Sequence, residues 1–116
     1  MSARYLSSAQ DSTAEGSPPA CDVKKIPSGD IKKSYTRFKL NKPSPKSALG
    51  AGHENDGTTF GNKQDLLPHA TYTEWGLGDV YDQNAQRVVI KQDGKKVFYT
   101  KDHYASFCLV PGSVYG

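Results

Sequence analysis

Glu74, Arg87 and His103 are spaced through the second half of the chain and carry the residue types needed to cleave an RNA phosphodiester without a metal. Such a site takes a base for the 2′-hydroxyl proton, a cation beside the phosphate and an acid for the leaving 5′-oxygen. Glutamate is mostly ionised near neutrality and histidine titrates there, so the pair can begin in opposite protonation states. Arginine offers a forked, permanently charged donor to two phosphate oxygens. Singly, each residue is more often structural or merely solvated; the combination is what points to chemistry.

The elements that must position them read as strands. Thr71-Tyr72-Thr73-Glu74-Trp75 is β-branched and aromatic, so Tyr72 and Glu74 share one face of a pleated segment. Arg87 opens Arg87-Val88-Val89-Ile90, whose continuous apolar character suits a central strand buried on both faces, and an arginine there calls for an anionic partner. Gln92-Asp93-Gly94-Lys95 supplies a two-residue hairpin turn, Lys96 to Thr100 returns, Lys101 to Tyr104 connects, and Ala105 to Val110 forms a last strand before Pro111-Gly112. His103 then lies on a loop at a sheet end, where chemistry is often found.

A chain of 116 residues with 35% hydrophobic content supports one domain with a thin, two-layer core. Between Val23 and Lys46 eight basic residues face Asp30 alone, whereas from Ser47 onward six basic residues face eight acidic ones. The basic segment is either a polyanion-binding surface or a lysine-rich solvated face. No apolar run approaches the ~18 residues of a membrane span. Cys21 and Cys108, the two cysteines, either bridge the N-terminal region to the last strand or leave Cys108 a buried thiol.

Residues 1–20 read as a flexible leader or linker and residues 21–116 as the domain. Within the leader, a short helix around Ala3 to Glu15 would have too thin an apolar face to dock. Ser28-Gly29-Asp30 starts a helix with Asp30 accepting from free backbone N–H groups, and Ile31, Tyr35 and Phe38 form its buried stripe. The rival is a strand through Tyr35 to Leu40. Asn41 to Asn55 is loop, Asp56-Gly57 turns into a short strand ending at Phe60, and Gly61 to Asp65 is an exposed loop.

Other chemistries find less support. A serine nucleophile lacks a Gly-x-Ser-x-Gly elbow, and a Cys–His pair needs Cys108 exposed on an interior strand. His53, His69 and His103 lack the close spacing of a zinc motif, so neither a metal nor another cofactor is expected.

The segment Asp56-Gly57-Thr58-Thr59-Phe60-Gly61-Asn62-Lys63-Gln64-Asp65-Leu66-Leu67-Pro68 resembles the Asp-Gly-x-x-Phe-x-Asn-x-x-x-x-Leu-Pro stretch of the microbial guanyl-preferring ribonucleases, the barnase-like bacterial family. Asp102-His103-Tyr104-Ala105-Ser106-Phe107 is similar to the family's Asp-His-Tyr-x-x-Phe ending, and Glu74, Arg87 and His103 match its active-site order. The likeness covers Asp56 to Val110. It implies an α+β fold: a twisted antiparallel sheet of four to five strands packed on one short helix, with the cleft on the sheet's other face. It also implies Glu74 as general base, His103 as general acid and Arg87 as phosphate-binding cation, with Phe60, Gly61, Asn62, Lys63 and Gln64 as the base site and Tyr104 stacking in the cleft.

Two departures stand out. Gln64 occupies the place of a family glutamate that accepts two hydrogen bonds from guanine; its amide offers one acceptor and donors instead, which weakens guanine preference unless Asp65 substitutes. Gln83 occupies the place of a family arginine, a lost cation that Lys32 or Lys33 of the basic segment would have to replace.

The sequence therefore leads us to expect a metal-independent endoribonuclease of single-stranded RNA forming a 2′,3′-cyclic phosphate. It would be a monomer, secreted or delivered to a target cell as a toxin, and the resemblance implies an inhibitor or immunity protein. The rival is a weak or inactive ribonuclease-fold protein that binds RNA or a protein; a metal-dependent nuclease is a third reading.

Overall fold

A computed structural model of the chain describes residues 18–41, 53, 56–78 and 84–116. Gln83, most of the expected leader and most of the 41–55 loop lie outside them. The described residues form a 3₁₀ turn at Val23–Lys25, helix α1 (Ser28–Leu40), strands β1 (Thr58–Phe60), β2 (Tyr72–Gly76), β3 (Arg87–Lys91), β4 (Val97–Thr100) and β5 (Cys108–Leu109), and a short helix α2 (Gly112–Tyr115). The strands make one antiparallel sheet in the order β1-β2-β3-β4-β5. This is the expected α+β architecture, with α1 as its main helix.

Alternation sends side chains to two faces, and each face builds its own apolar cluster. Trp75, Val88, Ile90, Val97 and Tyr99 cluster with Ile31 of α1, and Tyr35 and Phe38 pack against them. On the opposite face Tyr72, Val89 and Phe98 cluster with Leu67 and Phe107. β3 is therefore buried on both sides, as its apolar run predicts. The helix prevails over the rival strand because Ile31, Tyr35 and Phe38 fall on one helical face over the sheet.

Several local expectations are corrected. Asp30 is not the cap: Pro27 precedes the helix, its carbonyl accepting from Ile31 N, and Asp30 sits inside the first turn, where a carboxylate suits the helix dipole. The β3–β4 connection is not a two-residue turn. Lys91 and Lys96 pair through Lys91 N and Lys96 O, leaving Gln92 to Lys95 as a four-residue loop closed by Gly94 N on Lys91 O, with Gly94 at φ +76°. The last strand keeps only Cys108–Leu109, since residues 101–107 are spent on a looped segment. Lys32 and Lys33 are exposed on α1, on the sheet face away from Glu74, and do not replace a cation there.

Cys21 and Cys108 form a disulfide across 87 residues. Beside it the chain pairs earlier than residue 21: Leu109 N donates to Pro19 O at 2.7 Å, and Ala20 forms a parallel bridge with Leu109. Among the described residues, no helix is long and apolar enough to cross a membrane.

Candidate active site

Glu74 reaches the cleft face because β2 pairs Thr58↔Glu74 on one side and Glu74↔Val89 on the other. It lines an open cleft of about 580 Å³ together with His103, Tyr104 and the 60–64 loop. The cleft thus collects Glu74, His103, Tyr104, Phe60, Gly61, Asn62, Lys63 and Gln64, drawn from segments far apart in sequence.

Tyr104 is the hinge of the arrangement. Its hydroxyl donates to Glu74 Oε1 at 2.8 Å, and its ring lies 5.1 Å from that of Phe60 and 5.0 Å from that of His103. Burial pushes the phenol well above its usual range, and the Glu74 carboxylate pushes it further; the Arg87 guanidinium opposes the shift and so lies within electrostatic reach. The phenol is therefore a fixed hydrogen-bond donor at neutral pH.

Arg87 stands beside the cleft rather than in its lining. Its Nη1 donates to the carbonyls of Asn84 and Gln86, each at 2.7 Å. Two backbone oxygens thus supply the partners for which the sequence reading expected an anion. Asn84 is itself anchored, donating to Leu77 O at 3.0 Å and accepting from Gln86 N at 2.9 Å.

His103 is exposed on the 101–107 loop, its amide bonded to Ala85 O at 2.9 Å. His103 and Tyr104 both have positive φ, 54° and 74°, in the left-handed region that side chains rarely adopt. Buried Thr100 and exposed Asp102 hold the loop in place. Thr100 Oγ1 accepts from Tyr104 N at 3.0 Å and donates to Asp102 Oδ1 at 2.8 Å, while Asp102 also accepts from Ser106 N and Ser106 Oγ. The Ser106 and Thr100 bonds hold the Asp102 carboxyl down at about 2.

The 61–67 loop is shaped by Asn62. At φ 50°, which asparagine tolerates, its side chain donates to Leu67 O at 2.9 Å and accepts from Leu67 N at 3.1 Å. Asp65 faces His69, with Oδ1 2.9 Å from Nε2, so Gln64 rather than Asp65 lines the cleft.

Three contributors went unassigned in the sequence reading: Thr100, Asp102 and Asp56. Asp102 belongs to the Asp-His-Tyr motif, and Asp56 in sequence marks only a turn. Its carboxylate is buried and accepts from His53 N at 2.9 Å and Gly76 N at 2.8 Å, tying His53 to the end of β2. The three histidines lie apart: His53 by Asp56, His69 by Asp65, and His103 at the cleft.

A family model described as ribonuclease matches residues 8–111. Guanyl-specific ribonuclease St of Saccharopolyspora erythraea is 41% identical over an alignment of 64 positions covering 49% of this chain; the match spans 60% of that relative's length. Ribonuclease Sa2 with guanosine-2′-cyclophosphate has the same fold at a TM-score of 0.61, with 23% identity over 80% of this chain and 96% of its own. Ribonuclease Sa2 in complexes with mononucleotides gives a TM-score of 0.63 at 23% identity, covering 82% of this chain and 95% of its own.

Proposed function

The chain belongs to the ribonuclease family, and on that premise we propose that it is an endoribonuclease cleaving single-stranded RNA by metal-independent transesterification. The observation that carries the reading is the meeting of Glu74 and His103 in one cleft that Tyr104 and the 60–64 loop also line.

Glu74 acts as general base. Tyr104 occupies Oε1, leaving Oε2 to take the proton of the 2′-hydroxyl. The freed oxygen attacks phosphorus, the bond to the 5′-oxygen breaks, and the His103 imidazolium gives that oxygen its proton. The products are a 2′,3′-cyclic phosphate and a 5′-hydroxyl; hydrolysis of the cyclic ester then runs the two proton transfers in reverse. Arg87 stabilises the charge gathering on the phosphoryl oxygens, its orientation set by the Asn84 and Gln86 carbonyls.

The base lies against the 60–64 loop, contacting Phe60, Gly61, Asn62, Lys63 and Gln64, with the Tyr104 ring beside Phe60. Guanine preference is supported by the guanyl-specific relative. Gln64 makes it weaker than a carboxylate at that place would, because one of guanine's two donors loses an ionised acceptor. Secretion, action as a toxin on a target cell and an inhibitor covering the cleft complete the proposal, with the protein acting as a monomer.

The test is cleavage of short single-stranded RNA oligonucleotides, each containing one type of base, in excess chelator, beside Glu74→Gln and His103→Ala. Cyclic-phosphate products from the parent chain, lost in both variants and strongest at guanine, are expected. A folded parent chain that binds these oligonucleotides without cutting them would instead support the binding-protein reading, and cutting abolished by the chelator would support a metal-dependent nuclease.

A further inference from the structure

His53 stands where the sheet has no side chain of its own. Gly76 and Arg87 are directly opposed across the β2–β3 ladder. A side chain at position 76 would therefore stand next to that of Arg87, on the face that carries Glu74, with Cβ atoms about 4.5 to 5.5 Å apart. His53 fills the space instead: a Cβ built on Gly76 would lie 2.6 Å from the imidazole Nδ1 and 2.7 Å from Cδ2.

The ring is held from its own loop. Asp56, its side chain 1% exposed, binds both His53 N and Gly76 N, and its Oδ1 lies 3.8 Å from His53 Nδ1. Both ring nitrogens are closed off from solvent and have no hydrogen-bond partner among the described residues. His53 does not line the cleft. What the residue offers its neighbour is the body of a flat ring.

We propose that His53 is a positioning residue for Arg87, its ring serving as the cross-strand neighbour that the glycine cannot supply. Arg87 is anchored through Nη1 on the Asn84 and Gln86 carbonyls, and its guanidinium also reaches the Tyr104 hydroxyl. A ring packed beside the side chain limits the swing of the guanidinium about that anchor and keeps it toward Tyr104. Glycine at 76 and histidine at 53 are then two halves of one device, because any larger residue at 76 would expel the ring. The proposal rests on the assignment of Arg87 to the phosphate.

The experiment compares the parent chain with His53→Ala and His53→Phe, using a dinucleoside phosphate well below the unfolding temperature of each. His53→Ala should lower kcat about tenfold with KM little changed, since a misplaced cation is missed most when charge develops. His53→Phe, a ring without nitrogens, should stay within about twofold of the parent, and neither variant should move the two limbs of the pH profile. Unchanged kcat in His53→Ala despite a lower unfolding temperature would reduce His53 to a structural role, and a loss in His53→Phe equal to that in His53→Ala would show that the nitrogens matter; either overturns the proposal. If the parent chain does not cleave RNA, the ribonuclease reading falls separately. The Arg87 guanidinium NMR resonance then decides: it should shift in His53→Ala and hold in His53→Phe, and the opposite pattern refutes the positioning role.

Discussion

Replacing Asp56 with alanine should be among the most damaging single changes outside the apolar core. Its carboxylate is buried and accepts two backbone hydrogen bonds, at 2.9 Å from His53 N and 2.8 Å from Gly76 N. Hydrogen bonds to a charged acceptor contribute roughly 1.5 to 3 kcal/mol each, and a buried donor left without a partner costs about 1 to 3 kcal/mol. These figures overlap, since losing the acceptor is what strands the donor, and the expected total is about 3 to 5 kcal/mol. Asp56→Asn keeps one carbonyl oxygen for one of the two donors and should lose about half as much. Urea unfolding of the three proteins measures this directly, as a lower midpoint at unchanged slope. A loss below about 1 kcal/mol in Asp56→Ala, or equal losses in the two variants, would refute the claim that the carboxylate ties His53 to β2.

Asn62→Ala removes both side-chain bonds to Leu67 and leaves alanine at positive φ; a loss of about 2 to 3 kcal/mol in thermal unfolding is expected, with faster hydrogen exchange at Leu67 N. Reducing the Cys21–Cys108 bridge, or replacing both cysteines with serine, should cost about 4 to 5 kcal/mol, because the closed loop spans 87 residues, and denaturant midpoints with and without reductant measure it. Asp102 has its carboxyl held at about 2 when folded against an ordinary value near 4 unfolded, so its contribution is complete above about pH 4 and is lost as pH falls towards 2. Because the group is exposed, solvent screening limits the effect to about 1 kcal/mol. Stability curves of the parent and Asp102→Asn should converge below pH 2.

The sequence carried the layers better than the joints. Ile31, Tyr35 and Phe38 define the helix face, and the apolar run of β3 marks the central strand, because burial imposes a period that local residues record. Glu74 could be placed on a face for the same reason. What pairing alone decides was not legible: the four-residue β3–β4 loop, the early pairing of Pro19 and Ala20 with β5, and the brevity of β5 itself. His53 over Gly76 is the sharpest case. Neither residue announces the other, since their contact depends on a buried aspartate that binds both His53 N and Gly76 N.

The same logic explains why the cleft is built around two consecutive strained residues. Left-handed backbone at a non-glycine position costs roughly 1 to 2 kcal/mol, and His103 and Tyr104 incur it twice in succession. A relaxed strand through Ala105 would send neighbouring side chains to opposite faces. The kinked loop instead brings the imidazole and the phenol to one cleft, with ring centroids 5.0 Å apart. The cost is offset by neighbours that do not line the cleft: Thr100 accepting from Tyr104 N, Asp102 gripping Ser106, and Ala85 accepting from His103 N. Ala85 lies between Asn84 and Gln86, whose carbonyls hold Arg87. One short segment therefore sets the histidine loop and the arginine together, so a backbone change at 84–86 should disturb both at once, whereas a change at Glu74 should leave their geometry intact.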